Sequence, residues 1–335
     1  AVDAMGSDYA PQEIVLGAIQ AVKEYRCEVV LVGDQAQLET ELNQQGNWQQ
    51  WGITIQHASQ VIEMHEHPSV AVRKKKDASV VVATRLVKEG QCDAVVSAGS
   101  TGAAVAAALF GLGRIKGIGR PAIATPIPNL KGTTILLDSG ANVDSKPKHL
   151  VQNAIMGSIF AEYILGISQP RVGLLNIGEE ENKGNDQCLE TLPLLKQMQT
   201  IRFIGNVEGR DIPKGTVDVV VCDGFVGNVV LKFGEGLASV ILQLVKDSIK
   251  QSGWLTKLAS LMILPALKKL RRKLDYAEYG GAPLLGVNGG FIICHGSSRS
   301  KEIKNAIRVA CEFSQNRVVE HISENVMKEG FISND

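Results

Sequence analysis

Residues 94–112 read AVVSAGSTGAAVAAALFGL and contain one complete strand–turn–helix unit. The short apolar run at 94–97 predicts a buried strand, and the Ala-rich run at 102–112 predicts a helix. Between them, SAGSTG at 97–102 combines glycines, which let a ligand approach the backbone, with hydroxyl donors at an electropositive helix N-terminus. The loop lacks the lysine of a P-loop and the spacing of a dinucleotide fingerprint. It is predicted to cradle a phosphate, with the alternative that it only caps a buried helix.

The same alternation of short β-branched runs and helical periods continues on both sides of this stretch. Further strands are predicted over 28–33, 54–57, 122–125, 133–137, 172–176, 217–222 and 291–294. Further helices are predicted over 11–23, 79–88, 149–165, 188–197, 228–250 and 300–327. This pattern predicts an α/β protein with a mostly parallel sheet between two helical layers, here a single three-layer α/β/α unit over residues 1–335. Ligands bind such sheets beyond the carboxyl ends of the strands.

Composition and charge exclude several classes of protein. The chain has 335 residues, 35 basic and 35 acidic side chains, and 5% aromatic residues. A zero net charge and few aromatic residues argue against a nucleic-acid-binding protein. Six cysteines without a CxxC pair predict reduced thiols in a cytosolic protein. The sequence contains no cluster of metal-ligating side chains, so no metal site is predicted. No run of about 20 apolar residues occurs, so no membrane span is predicted.

Four more loops place small and polar residues beside predicted strands. Residues 3–8 (DAMGSD) and 222–228 (CDGFVGN) each predict a ligand-facing turn or, alternatively, the cap of the following helix. Residues 176–185 (NIGEEENKGN) predict a solvated turn or a place where Lys183 meets an anionic substrate. Residues 279–296 form a Gly-rich wall that ends in a histidine, a residue more often structural than catalytic beside a strand. With the first loop, these supply the predicted substrate-binding residues: Asp3, Gly6, Asp8, Gly99, Ser100, Thr101, Gly102, Asp223, Gly227 and His295.

Two segments carry clustered positive charge. Four consecutive cations at 73–76 predict either a solvated face or contact with a phosphate or an acidic partner. Residues 254–274 contain twelve apolar and six basic side chains with no acid. Their helical spacing, interrupted at Pro265, predicts a protruding amphipathic hairpin over 252–276 that contacts an anionic lipid surface. The alternative is a buried dimer or acyl-pocket contact with a solvated cationic face. The predicted carrier-protein or membrane contacts are Arg73, Lys74, Lys75, Trp254, Leu255, Leu258, Leu261, Met262, Ile263, Leu264, Lys268, Lys269, Arg271 and Arg272.

Taken in order, ten stretches resemble the PlsX family of phosphate acyltransferases. They run from residue 1 to about residue 298 and read AVDAMGSD, HPSVAVRKKKDAS, SAGSTGA, RPAIATPIP, LLDSGAN, LLNIGEEENKGN, GNVEGRD, CDGFVGNVVLK, YGGAPLLGVNG and CHGSS. The chain departs from the family at Ser7 and Ser100, where the family often has Gly and Asn.

The resemblance implies an enzyme that moves a long acyl chain from acyl carrier protein to inorganic phosphate, giving acyl phosphate for phospholipid synthesis. It implies a fold similar to phosphate acetyltransferases and to isocitrate and isopropylmalate dehydrogenases, and no cofactor. It also implies a cytoplasmic homodimer that acts at the inner face of the membrane and supplies a downstream glycerol-3-phosphate acyltransferase. Lys183 and Asn228 are the predicted catalytic residues. Lys183 would bind the phosphate or protonate the departing sulfur, and Asn228 would orient the phosphate or donate a hydrogen bond to the oxyanion. Alternatives are a phosphate acetyl- or butyryltransferase that uses coenzyme A, a decarboxylating dehydrogenase, and a non-enzymatic membrane scaffold.

Overall fold

A computed structural model describes residues 1–253, 265–266 and 279–331 of the chain. The described strands are β1 (Val2–Asp3), β2 (Val29–Gly33), β3 (Ile53–His57), β4 (Ala94–Ser97), β5 (Ala122–Ile123), β6 (Thr125–Asn129), β7 (Gly132–Leu137), β8 (Arg171–Asn176), β9 (Arg202–Glu208), β10 (Val219–Val221), β11 (Ala282–Leu285) and β12 (Gly290–Ile293). The described helices are α1 (Gln12–Tyr25), α2 (Gln35–Gln45), α3 (Pro68–Lys74), α4 (Ser79–Lys88), α5 (Thr101–Gly111), α6 (Pro147–Tyr163), α7 (Asp186–Gln197), α8 (Gly224–Gln251), α9 (Ser300–Gln315) and α10 (Val318–Lys328).

The strands form two sheets rather than one continuous sheet. The first has the order β3-β2-β1-β4-β12-β11-β5, in which only β11 runs against its neighbours. The second has the order β6-β7-β10-β8-β9, in which only the edge strand β6 is antiparallel. The chain passes from the first sheet to the second between β5 and β6, across Ala124 alone. The mostly parallel α/β architecture predicted from the sequence is confirmed.

Helices cover both faces of the first sheet. Apolar side chains of α1 and α9 pack on one face, and those of α3, α4 and α5 pack on the other. Most of α6 is buried, from Leu150 to Ala161, because it packs against the second sheet and against α7 and α10. Burial on all sides explains why α6 is apolar around its whole circumference instead of carrying one stripe.

Most predicted elements occur within a few residues of their predicted bounds, and the differences have physical causes. The predicted strand at 122–125 is two strands, because the chain changes sheet there. The predicted helix at 300–327 is two helices, because Arg317 between them adopts a left-handed conformation with φ 49°. The elements that the pattern did not predict are β9, β11, α2 and α3, which are short, polar or at a sheet edge.

Helix α8 is long, apolar and exposed. Its mean hydropathy over an 18-residue window is 1.5, and only 6% of that window is buried. By length and composition alone, this one helix among the described residues could cross a membrane, a property that the sequence analysis did not predict. Core helices of globular proteins and signal sequences reach the same length and hydropathy. In α8 the apolar run is interrupted by the charged side chains of Lys232 and Glu235. The hairpin predicted over 252–276 follows α8 and lies almost entirely outside the described residues.

Candidate functional site

A cleft of about 1030 Å³ opens where the two sheets meet. Helix α5 forms one wall and α8 forms the other, and the ends of β5 and β12 contribute Ile123 and Ile293. Both helices begin at the same end of the cleft. α5 follows β4, which ends beside Ile293 of β12, and α8 begins on the loop after β7, which is bonded to Ile123 of β5. Thr101 on α5 and Asn228 on α8 both line the cleft there, and the positive dipole ends of both helices favour a bound anion. Most backbone N–H groups at the start of α8 are already paired within the fold, so α8 contributes its dipole and the side chain of Asn228.

The carboxylate of Asp138, at the end of β7, organises this polar end. It is fully buried and accepts hydrogen bonds from the backbone N–H groups of Ile123, Gly140, Ala141 and Asn142, at 2.8–3.1 Å. The side-chain amide of Asn142 adds another hydrogen bond at 2.9 Å. Five donors hold one carboxylate, so the loop that carries Ser139, Gly140 and Ala141 into the cleft is fixed in shape.

Two glycines let α8 begin directly on this loop. A Cβ at Gly224 would lie 2.8 Å from a carboxylate oxygen of Asp138, and a Cβ at Gly227 would overlap the Asp138 carbonyl oxygen. Asp223 caps the helix by accepting from the backbone N–H of Val226 at 2.8 Å. One turn into the helix, the amide of Asn228 lies 3.5 Å from the place where a Cβ at Gly140 would sit. Close packing of these residues places Asn228 at the polar end of the cleft.

The N-terminus of α5 is held against α3. A Cβ at Gly102 would lie 2.6 Å from Cγ of Pro68, so the glycine permits the two helices to touch. Thr101 and Gly102 are exposed to the cleft, while Ala103 and Ala104 pack into the sheet below them. Thr101 thus presents its hydroxyl where the dipole of α5 is positive, as the sequence predicted for this loop.

His295 reaches the cleft from the end of β12, and its neighbour fixes its tautomer. The backbone N–H of Ser297 donates to Nδ1 of His295 at 3.2 Å, and the Ser297 hydroxyl lies 2.7 Å from the same nitrogen. A backbone N–H can only donate, so Nδ1 is an acceptor and the proton of the neutral ring is on Nε2. His295 can therefore offer an N–H donor to a bound oxygen or sulfur.

The predicted lysine and a lysine missed by the sequence analysis have different positions. Lys183 is exposed on the loop between β8 and α7 and is not among the residues that line the cleft. This loop and the start of α8 lie at the same edge of the second sheet, because they follow β8 and β10, which are adjacent parallel strands. Lys232 on α8, one turn beyond Asn228, does line the cleft. Its position four residues after Asn228 was the available signal, since residues at i and i+4 share a helix face.

The other predicted substrate-binding residues divide between supporting positions and a second, much smaller cavity. Asp3, Gly6, Gly99 and Ser100 line this cavity of about 10 Å³, which at most holds one water. Asp3 accepts from the Ser97 hydroxyl at 2.7 Å, and this bond joins the ends of β1 and β4. The backbone N–H of Asp8 donates to the carbonyl oxygen of Gly296 at 2.9 Å, beside His295.

The basic run at 73–76 lies beside the mouth of the cleft. The guanidinium of Arg73 stacks over the ring of Phe110, 4.7 Å from its centroid, and Phe110 lines the cleft. Lys74 is exposed. Lys75 instead donates to the carbonyl oxygen of Val61 at 2.7 Å and to Glu66 at 2.5 Å, so this predicted contact residue is occupied by bonds within the fold.

The thiols near the site are unsuited to nucleophilic catalysis. Cys294 lines the cleft, and burial raises the pKa of its thiol far above the ordinary value of 9.0. Cys222 lies fully buried beneath the start of α8, and burial raises its pKa as well, with Asp223 and Asp138 adding to the effect. A protonated, buried thiol is a poor nucleophile. The arrangement therefore favours direct attack by a bound anion over a covalent cysteine intermediate.

Comparison with known proteins gives a consistent result. The family model described as "Fatty acid synthesis protein" matches residues 1–321. A curated relative from Pelotomaculum thermopropionicum, named "Phosphate acyltransferase", is 60% identical over 97% of this chain and 94% of its own length. A relative of the same name from Desulfitobacterium hafniense is 58% identical over 97% of each chain.

Solved structures with the same fold have little sequence in common with this chain. EutD phosphotransacetylase from Staphylococcus aureus superposes with a TM-score of 0.61 at 15% identity and covers 89% of each chain. A phosphotransacetylase from Streptococcus pyogenes superposes with a TM-score of 0.61 at 17% identity and covers 91% of each chain. These matches confirm the predicted similarity of fold.

Proposed function

Because the chain belongs to the phosphate acyltransferase family and is an acyltransferase, we propose that it transfers a long-chain fatty acyl group from acyl carrier protein to inorganic phosphate. The product would be acyl phosphate, an acyl donor for phospholipid synthesis. One observation carries the proposal: a single cleft joins a polar end, where the N-termini of α5 and α8 meet, to a long stretch with an apolar lining. Such a cleft suits an anionic nucleophile at one end and an acyl chain along the rest.

The polar end supplies the groups that the reaction needs. Phosphate binds between the helix N-termini, with the Thr101 hydroxyl and the backbone near Gly102 as donors. A phosphate oxygen attacks the thioester carbon, so a C–O bond forms and an oxyanion develops on the carbonyl oxygen. The C–S bond then breaks, the acyl group stays on phosphate, and the pantetheine thiolate takes up a proton. No covalent enzyme intermediate is required.

Asn228 and His295 are assigned to the developing charges. The amide of Asn228 orients the phosphate or donates to the oxyanion, and each such donor is worth roughly 2.7–4 kcal/mol in the transition state. The Nε2–H of His295 donates to the oxyanion or to the departing sulfur. Asp223 and Gly227 hold the start of α8 in place, so they act through Asn228.

A lysine is proposed to neutralise the phosphate or protonate the sulfur, and two candidates can be separated. Lys183→Ala is expected to lower acyl phosphate formation by orders of magnitude if its loop reaches the cleft when substrate binds. Lys232→Ala is the comparison, because Lys232 lines the cleft in this structure. Near-normal turnover of Lys183→Ala, together with a large loss of turnover in Lys232→Ala, would assign this role to Lys232 instead of Lys183.

The test of the function measures thiol release. The chain is incubated with palmitoyl carrier protein, palmitoyl coenzyme A or acetyl coenzyme A, with and without inorganic phosphate, and free thiol is followed over time. Phosphate-dependent release with the carrier-protein donor is the expected result. Release only from short-chain acyl coenzyme A would favour a phosphate acetyl- or butyryltransferase. Thiol release independent of phosphate, or no release, contradicts the proposal.

The exposed cations Arg73 and Lys74 are proposed to dock the acidic carrier protein. They lie beside the cleft mouth, because Arg73 stacks on Phe110. Arg73→Glu with Lys74→Glu should raise KM for the acyl carrier protein donor about tenfold or more and leave turnover of acyl coenzyme A nearly unchanged. Lys88→Glu, at the far end of α4, is the control for a charge change elsewhere. Equal effects on both donors would contradict docking at this surface.

The chain is further proposed to be a cytoplasmic homodimer that binds the inner face of the membrane through the segment 252–276. The support is the sequence of residues 254–274 within it, in which six of the 35 basic residues occur without an acid. Replacing Leu261, Met262 and Ile263 with Ser should reduce binding to anionic vesicles and leave thiol release from a soluble donor unchanged. Undiminished binding to the vesicles would contradict the membrane role. A membrane position would also deliver acyl phosphate to a downstream glycerol-3-phosphate acyltransferase.

A further inference from the structure

The cleft face of α8 has two edges of different chemistry. With 100° of rotation per residue, Asn228, Lys232 and Ser239 fall along one edge, and Leu231, Ala238 and Leu242 fall along the other. The polar edge is exposed at Lys232 and Ser239, whereas all three residues of the apolar edge are half-buried. The apolar edge therefore faces into the cleft, and the polar edge faces its mouth.

Helix α5 completes an apolar channel opposite this edge. Its cleft-lining residues beyond Gly102 are Val105, Ala106, Leu109 and Phe110. Ala106 is buried and Leu109 is half-buried, while Phe110 at the mouth is 47% exposed. Side chains no larger than a methyl group at Ala106 and Ala238 leave width for a ligand between the two helices.

The channel has the length of a long acyl chain. From Asn228 to Ala238, ten residues of helix at 1.5 Å per residue span about 15 Å, and from Asn228 to Leu242 fourteen residues span about 21 Å. Carbon–carbon bonds of about 1.5 Å at tetrahedral angles advance an extended chain by about 1.25 Å per carbon. A chain with its thioester carbon beside Asn228 thus passes Ala238 at about its thirteenth carbon and reaches Leu242 at about its eighteenth.

We propose that the acyl chain of the donor lies extended along the Leu231–Ala238–Leu242 edge of α8, and that Ala238 and Leu242 determine the longest chain accepted. This inference rests on the proposed function and adds to it the place of the chain and the residues that select its length. Each further methylene buried against these side chains strengthens binding, so the full channel favours long donors over short ones. Beyond Asn228 and Lys232, which serve the reacting groups, the polar edge is left for the pantetheine arm and solvent.

The test compares chain-length profiles. Ala238→Phe should lower kcat/KM for palmitoyl carrier protein at least about tenfold and change kcat/KM for octanoyl carrier protein less than about twofold. An eight-carbon chain ends before Ala238, so the octanoyl donor also reports whether the variant is folded. The milder Ala238→Leu should shift the ratio of the two donors in the same direction. The matched control is Ala36→Phe, on the exposed face of α2.

Each outcome separates the two proposals. A parent chain that releases no thiol in a phosphate-dependent way from either donor contradicts the proposed function. An active parent whose palmitoyl-to-octanoyl ratio is unchanged in both Ala238 variants contradicts only the position of the acyl chain. Equal losses for both donors in Ala238→Leu would likewise overturn it, because they would show a general defect rather than a length limit.

Discussion

Gly227 is a position where the fold leaves no room for a side chain. A Cβ there would overlap the carbonyl oxygen of Asp138, which cannot move because its own carboxylate holds the loop below α8. Gly227→Ala is therefore expected to lower the free energy of unfolding by about 3 kcal/mol and to abolish thiol release, since Asn228 would be displaced. Urea denaturation and the thiol assay measure the two effects.

The same helix provides the control for Gly227. Nothing lies within 4 Å of a Cβ built at Gly236, two and a half turns further along α8. Gly236→Ala should stabilise the chain by up to about 1 kcal/mol, because alanine favours a helix more than glycine does. If both variants lost equal stability, close packing at Gly227 would not be the cause.

At the residue scale, the sequence predicted residues that line the cleft better than the residues that hold them in place. Thr101, Asn228 and His295 were predicted because they stand in Gly-rich loops after predicted strands, where parallel sheets bind their ligands. The role of Asp138 was not predicted, although its motif was noted. The backbone N–H groups of Gly140, Ala141 and Asn142 follow it directly, in a local turn that an Asp favours, but the N–H of Ile123 is brought to it only by the tertiary structure.

At the scale of elements, one carboxylate joins α1 to α9. Glu13 on α1 accepts from the backbone N–H of Ser300 at 2.8 Å and from Arg299 at 3.1 Å, so it caps α9 from another helix. The Ser300 bond, aided by Arg299 and opposed by partial burial, lowers the pKa of Glu13 below its ordinary value of 4.5. The charge thus stabilises the fold above pH 4.5, and this contribution disappears as the pH falls through the lowered pKa.

This linkage predicts the pH dependence of a variant. Glu13→Gln should lower the free energy of unfolding by about 1 kcal/mol at pH 7, and the difference from the parent should shrink as the pH falls below about 4.5. Urea denaturation at several pH values between 3 and 7 measures it. Glu190→Gln, an exposed change on α7, should show no such trend. A difference that grows on acidification would have the wrong sign for this mechanism.

Element prediction depended on what each element packs against. The strands β4 and β8 and the helix α4 were predicted nearly to the residue, because buried strands are continuously apolar and α4 has one apolar face. β9 was missed because it lies at a sheet edge and alternates exposed and half-buried residues with Gly205. A polar edge strand cannot be distinguished from a loop by periodicity.

At the scale of the whole molecule, the division into two sheets could not be predicted from local pattern. The sheets separate at Ala124, where one residue lies between β5 and β6, and each of those strands is short or at an edge. Yet the separation creates the cleft, because α5 belongs to the first sheet and α8 follows a strand of the second. The site therefore depends on the division into two sheets, which the periodicity of strands and helices does not predict.

The outer face of α8 leads to a prediction about assembly. Opposite its cleft face, Phe233, Leu237, Val240 and Leu244 are between 47% and 69% exposed, a contiguous apolar stripe of a kind that usually marks an interface. A second copy of the chain is the proposed occupant. Phe233→Asp is then expected to shift the protein from dimer to monomer at micromolar concentration, measured by sedimentation velocity. Leu130→Asp provides the matched control, because Leu130 is 84% exposed in the turn between β6 and β7, away from α8. A Phe233→Asp variant that stays dimeric, or a parent that is already monomeric, would exclude this stripe as the interface between copies.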